Sequence, residues 1–287
     1  MDIKLLQIAI QSIGDLIKST VETSSFTKSN GDVVHKDNGL QAREALIRSE
    51  ILIQKIHEVT KVSLNQELQR NGYKNYTVHP PLGKPSPEKD VWGLLKKKKQ
   101  DVVILFKDGK EELITEGPLT GQKDLLGKDA TKDSIVIGVR SQLSSIDKNF
   151  DTLMERAFAE TMNMRLRHPD LIMGEVYMLA VKEYDEQSMK NNKVKFKTKF
   201  TNVEKFISIF NGISGRNNSD DLLESYKYEK SALILVDFSQ TPIKVYQTID
   251  ELKQDNIVSN EFKGDYNLLT PKNFTEGLVK KYKERHN

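Results

Sequence analysis

Apolar residues along the chain switch between two spacings, and the switch maps the elements. Ile3, Leu6, Ile10, Ile13 and Ile17 fall on one stripe of a 3.6-residue period, which predicts an amphipathic helix over residues 2–22. Residues 23–39 are polar and contain Gly31 and Gly39, so a loop is expected there. From 40 to 70 the helical spacing returns in Leu40, Leu46, Ile47, Ile51, Ile53, Ile56, Val59, Leu64 and Leu68, and Gly72 follows as a stop. This predicts one long helix. Pro80, Pro81, Pro85 and Pro87 mark 73–100 as a loop.

The period then shortens. DVVILF, 101–106, reads as a buried strand, with Lys107-Asp108-Gly109-Lys110 as a hairpin turn returning through 111–115. Residues 117–133 read as a Gly-rich polar connection. Further strands are expected at 134–140, 172–182, 231–238 and 243–246. In the strand at 172–182, Glu175 points opposite to Val176 and lies either near a site or at an edge. A helix carrying Phe150, Leu153, Met154, Ala157, Phe158 and Met162 is closed by His168-Pro169-Asp170. Others cover 202–213, 248–255 and 271–285. Strands flanked by helices predict an α/β (α+β) fold with a mixed central sheet. The expected parts are an N-terminal helical region and Pro-rich loop at 1–95, a core at 96–250 and a C-terminal helical segment at 251–287, in one compact unit.

Composition narrows the function classes. The 287 residues contain no cysteine, which removes disulfide frameworks and Cys-based zinc sites. No apolar run reaches about 18 residues, so no spanning helix is expected. Residues 1–20 mix charged and apolar positions without a signal peptide's apolar centre, so a cytoplasmic location is expected. Lys+Arg 44 against Asp+Glu 41 gives only +3, which does not by itself point to nucleic acid. Local blocks say more: Lys96 to Lys99 are consecutive, and 190–199 hold five lysines among Asn191, Asn192 and Phe196. Such blocks suit either phosphate contacts or a solvated face.

Several motifs fail. His57-Glu58 lies on a helix, but Lys61 stands where an HExxH zinc site needs its second histidine. GPLTGQK, 117–123, has the wrong spacing for a phosphate loop, and Asp124 stands in place of Ser or Thr. No GxSxG elbow is present. Pro169-Asp170 is not followed by Glu-x-Lys on a nearby strand, and Asp108-Gly-Lys110 and Glu261-Phe-Lys263 lack a strand context.

The stretch from Lys96 to Glu160 carries the most chemistry. It runs KKKKQDVVILF and later SIVIGVRSQLSSIDKNFDTLMERAFAE. A lysine-flanked Asp101 opens a strand; Arg140-Ser141-Gln142 ends the next; Ser144-Ser145 form a turn, followed by Asn149-Phe150 and a Glu-containing helix. In this order the segment resembles the PD-(D/E)XK nuclease superfamily, in particular the XhoI-like group of type II restriction endonucleases. It covers 65 of the 287 residues. Hydrolysis of a phosphodiester needs a water brought to phosphorus and charge stabilised on the phosphate and leaving oxygen. Mg2+ held by one or two carboxylates can do both.

The segment departs from that group at two positions. Gly138 stands where the group has its strand Glu, and Arg140 where it has Lys. Arginine clamps phosphate, but its pKa above about 12 prevents general-base work. A carboxylate must therefore come from elsewhere; the resemblance implies the following helix, where Glu155 and Glu160 are the candidates. They lie about 500° apart around the helix and do not share a face, and Glu155 is the preferred ligand. Glu50, on the long helix, resembles the acidic helix residue that often approaches the metal site in this superfamily.

The resemblance implies a restriction-endonuclease-like core with N-terminal helices. The expected function is that of a type II restriction endonuclease: Mg2+-dependent, site-specific hydrolysis of double-stranded DNA by a homodimer, leaving 5′-phosphates. Asp101, Arg140, Glu155 and Gln142 are the catalytic candidates, and Asp101, Glu155 and Glu160 the metal candidates. Lys97, Lys98, Lys99, Ser144, Lys148, Asn149, Asn192, Lys193 and Arg216 are the DNA-contact candidates, Arg and Asn being the types that pair with guanine and adenine. Each has a plainer reading. Arg140 can form a structural ion pair with Glu155 or Asp147, Glu155 can be a solvated helix position, and Gln142 can shape the turn. Two alternatives stay open: a nuclease-fold DNA-binding protein without activity, to which Gly138 and Arg140 point, and an unrelated soluble interaction protein whose lysine runs are solvated surface.

Overall fold

A computed structural model describes residues 1–219 and 221–286. The chain opens with α1 (Ile3–Thr23), started by Asp2, whose side chain accepts the Leu5 N–H, and its stripe Leu6, Ile10, Ile13 and Ile17 is fully buried. The segment expected to be a loop contains a small antiparallel ribbon, Ser25–Thr27 with Val33–His35. The long helix expected over 40–70 is two: α2 (Gly39–Arg48) and α3 (Ile51–Arg70). Glu50 between them has φ +64°, a left-handed conformation that no helix interior accommodates, so periodicity continues while the backbone breaks. Gly39 is required at the start of α2, because a Cβ there would lie 2.3 Å from the Val21 carbonyl oxygen.

Among the described residues the central sheet has six strands: β1 (Thr77–His79), β2 (Val102–Leu105), β3 (Ser134–Gln142), β4 (Ile172–Ala180), β5 (Lys230–Asp237) and β6 (Lys244–Val245). Their order across the sheet follows the chain. β1, β2 and β3 are successively antiparallel; β3, β4 and β5 are parallel; β6 returns antiparallel. All nine residues of β4 are buried, as expected for a central strand covered on both faces. The parallel steps require crossovers. These contain α4 (Phe150–Arg165) between β3 and β4 and α5 (Val203–Gly212) between β4 and β5.

The helices divide between the two faces. α6 (Phe274–His286) packs on β4 and β5 and on α3, and α3 reaches β2 and β3. Gly174 faces this layer: a Cβ there would lie 2.9 Å from both Phe274 and Leu278 side chains. Its neighbour Glu175 points to the other face, as the period of two demands. There Tyr177, two residues on, meets Phe206 and Phe210 of α5, and Phe206 meets Phe150 of α4.

Two expectations around β2 are corrected. The 107–115 return strand does not pair with β2, whose neighbours are β1 and β3; Glu112–Leu113 instead pairs with Lys123–Asp124 in a separate ribbon. A fully apolar strand is satisfied by two sheet neighbours, whereas Glu111 and Glu112 belong at the surface. The region 73–100 is not all loop: it supplies β1 and a ribbon in which Lys97–Gln100 pairs with Lys89–Trp92. Residues 1–95 thus contribute a strand of the central sheet as well as helices. Among the described residues, no helix is long and apolar enough to cross a membrane.

Candidate metal centre and catalytic site

The site begins where two strands part. β2 and β3 pair from Leu105–Ser134 to Val102–Ile137 and no further. Beyond that point the Val139 N–H would lose a partner, and Asp101, directly before β2, supplies one: its Oδ2 accepts the Val139 N–H at 2.6 Å. The strand geometry therefore fixes the Asp101 carboxylate at the mouth between β2 and β3.

Two further groups converge there. His57 comes from α3 and Glu88 from the segment leading into the lysine ribbon; with Asp101, their ligand atoms all lie within 4.8 Å of one another. This group could hold a metal ion. His57 is buried, and among the described residues its Nε2 has no hydrogen-bond partner. Burial lowers the imidazole pKa against the opposing pull of Asp101, so the ring is neutral at neutral pH, the state a metal ligand needs. Glu88 is raised, first by burial and then by the charges of Asp101 and Glu50, with Lys99 and Lys98 opposing. Carboxylates gathered against their own repulsion, beside an orphaned imidazole nitrogen, form a donor set that fits a divalent cation.

A second cluster adjoins this one on the face covered by α4. Gly138 and Arg140 share that face of β3, and Glu175 of β4 is the register partner of Gly138. Arg140 Nη1 donates to Glu175 Oε1 at 2.7 Å, and Nη2 donates to Glu160 Oε2 from α4. The other oxygen of Glu160 pairs with Lys98. Burial lowers the pKa of Arg140, but Glu175 and Glu160 more than offset this and raise it. Glu160 is pushed up by burial, yet Arg140 and Lys98 prevail and hold it ionised. Glu175 goes the other way. Full burial pushes it up to about 7, with Arg140 pulling back and Glu160 and Asp101 pushing further. Its Oε2 is buried without a partner among the described residues.

The sequence-derived candidates separate accordingly. Asp101, Arg140, Glu160 and Lys98 come together. Glu50 lies close enough for its charge to act on both His57 and Glu88. Glu155, the preferred helix carboxylate, is exposed with no polar partner among the described residues, because α4 turns Glu160 inward instead. Arg140 pairs with Glu175 and Glu160, not with Glu155 or Asp147. Gln142 shapes the turn: its Oε1 accepts the Tyr177 hydroxyl at 2.7 Å, and its Nε2 donates to the Ser144 carbonyl at 3.3 Å.

Among the DNA-contact candidates, Lys97 pairs with Asp90 and lies over the Trp92 ring, while Lys99, Lys148, Asn149 and Lys193 are exposed and Ser144 is half-buried. Asn192 is exposed, but its Oδ1 accepts from Ser24 Oγ and the Gly39 N–H and ties down the start of α2. Arg216 is a correction. It is fully buried, donating to the Pro169 and Ser219 carbonyls and pairing with Glu229, and cannot reach a duplex. Its flanking glycines and asparagines have the composition of a surface loop, but a buried carboxylate draws the guanidinium inside.

Sequence reasoning misses His57 and Glu88 and leaves Glu175 undecided. His57 belongs to a failed two-histidine motif, although a single histidine suffices when the other ligands come from elsewhere. The signal for Glu175 is a lone acid inside an otherwise apolar strand, IMGEVYMLA. No protein-family model matches the chain, and no curated protein or solved structure matches it.

Proposed function

We propose that the protein is a divalent-metal-dependent endonuclease acting on double-stranded DNA, of the restriction-endonuclease type. The observation that carries this reading is Asp101, held by the Val139 N–H where β2 leaves β3 and grouped there with His57 and Glu88. A sheet of three antiparallel strands continued by parallel crossovers, with an acid at that parting, is compatible with the core the resemblance implies. His57, Glu88 and Asp101 would hold the metal. Oxygen donors alone suit Mg2+; the imidazole nitrogen extends the choice to Mn2+. When bound, the ion supplies charge stabilisation for the phosphate and activation of water.

The residues of the chain have separate roles. Asp101, anchored through Oδ2, is pre-oriented and loses little freedom on binding a cation. His57 offers a neutral nitrogen. Arg140 keeps a fixed positive charge beside the phosphate path but is not a proton acceptor. Lys98 adds a second, half-exposed cation. Lys99 and Lys148, exposed, would contact the DNA backbone, where each neutralised phosphate contributes salt-dependent affinity. A homodimer would match a palindromic site with its own two-fold symmetry.

The test is incubation of supercoiled plasmid with Mg2+, Mn2+ or EDTA. Conversion to linear DNA only with metal supports the reading. A second reading, a nuclease-fold DNA-binding protein without activity, is favoured by one observation: both terminal nitrogens of Arg140 are already committed to carboxylates. It predicts a gel shift of the plasmid without cleavage under any of these conditions.

A further inference from the structure

Gly138 and Glu175 are steric alternatives. They are register partners on adjacent parallel strands, so their side chains leave the same face of the sheet. A Cβ built on Gly138 would lie 2.4 Å from Glu175 Oε2 and 3.4 Å from its Cδ, closer to the oxygen than real Cβ atoms come. The carboxylate of β4 thus occupies the space that a side chain from β3 would enter. Residue 138 immediately precedes Val139, whose N–H holds Asp101.

The two oxygens of Glu175 are not equivalent. Oε1 is bound to Arg140, while Oε2 is buried and has no partner among the described residues. A fully buried carboxylate oxygen without a donor is costly, and such atoms in native proteins signal a missing water, proton or ion. Glu160, the other acid in the cluster, has both oxygens engaged: one meets Lys98 and the other Arg140. Of these two acids paired with Arg140, Glu175 alone has a free oxygen.

We propose that Glu175 supplies, from the neighbouring strand, the carboxylate that position 138 lacks, and that its Oε2 joins Asp101 in binding the divalent cation. This rests on the metal-dependent reading above. It moves the missing function to β4 rather than to the helix α4, and a Cβ at 138 would have to displace Oε2 from the position it holds. Arg140 holds Glu175 through Oε1 and so fixes the direction of Oε2; in this arrangement it is a positioning residue.

The test is isothermal titration of the intact 287-residue chain with Mn2+, without DNA, at neutral pH. It compares wild type, Asp101→Asn, Glu175→Gln and the exchange variant Gly138→Glu/Glu175→Ala, with urea unfolding of each to establish that it folds. The expected result is that Glu175→Gln weakens Mn2+ binding about tenfold or more, and that the exchange variant, which returns a carboxylate from the other strand, recovers most of that loss. If the exchange variant does not fold, Glu175→Gln alone decides, because it keeps the shape of the side chain. Wild-type affinity in a folded Glu175→Gln, with binding lost in Asp101→Asn, overturns the role of Glu175 and leaves the metal centre standing. Absence of Mn2+ binding by wild type overturns both.

Discussion

The Asp101 carboxylate and the Val139 N–H meet at 2.6 Å across 38 positions of sequence, just beyond the last paired residues of β2 and β3. One oxygen of Asp101 anchors the strand there, and the group as a whole faces His57 and Glu88. The two roles separate by substitution. Asp101→Ala leaves a part-buried N–H without an acceptor, which costs about 1–3 kcal/mol. Asp101→Asn keeps an acceptor oxygen and holds stability within about 1 kcal/mol of wild type, but it removes the charge the cation needs. Urea unfolding with a parallel metal titration separates them: both variants lose metal binding, and only the alanine loses stability.

The pH dependence of stability carries the signature of Glu175. Its carboxyl is pushed up from 4.5 to about 7, chiefly by burial, so between those values the folded protein binds a proton that the unfolded chain does not. Unfolding releases it, and stability from this group is full below about pH 4.5 and declines as pH rises through about 7. His57, with a lowered pKa, acts in the opposite sense, binding fewer protons when folded. Comparison with Glu175→Gln isolates the first effect. Between about pH 5 and about pH 7.5, the wild-type unfolding midpoint should fall relative to that of Glu175→Gln. Parallel curves would show that Glu175 titrates normally.

How far the site is legible in the sequence depends on where each residue's partner lies. β2, β3, β4 and β5 are readable because buried strands write continuous apolar runs, and α1 because its stripe is regular. Asp101 and Arg140 are readable because they sit at the ends of such runs. The choice between Glu155 and Glu160 is not, since both fit a helix face and only the packing of α4 over Arg140 selects Glu160. The break at Glu50 is hidden because the apolar spacing of α2 and α3 stays in phase across it. Glu88 and His57 reach Asp101 only through tertiary packing of a Pro-rich segment and a helix that precede it, and no local spacing records that meeting.

His57 should behave unlike most buried polar residues. With its Nε2 lacking a partner among the described residues, replacement by an apolar ring of similar size removes an unsatisfied group. In metal-free buffer His57→Phe should therefore lie within about 1 kcal/mol of wild type, or above it. Metal should stabilise wild type by about 2.7 kcal/mol at a concentration about 100 times Kd, and the variant far less. Thermal unfolding with and without Mn2+ gives both numbers; equal metal stabilisation in the two proteins would exclude His57 as a ligand.

Arg216 belongs to the frame rather than to DNA recognition. Glu229, fully buried directly before β5, is paired with Arg165, Arg216 and Arg285. Removing the carboxylate leaves buried guanidinium groups uncompensated, so Glu229→Ala should cost about 3–5 kcal/mol in urea unfolding. Arg216→Ala should also destabilise, by less because two partners of Glu229 remain. In a binding assay on folded Arg216→Ala, the salt dependence of DNA affinity should equal that of wild type; a slope reduced by about one would instead place Arg216 on a phosphate.

The most direct test of the central claim is digestion of long mixed-sequence DNA by wild type and Asp101→Asn, each with Mg2+, with Mn2+ and with EDTA. A metal-dependent nuclease of the restriction type yields discrete fragments with 5′-phosphate ends from wild type, none with EDTA and none from Asp101→Asn. Intact DNA in every lane, or cleavage that persists in EDTA or in Asp101→Asn, would contradict it.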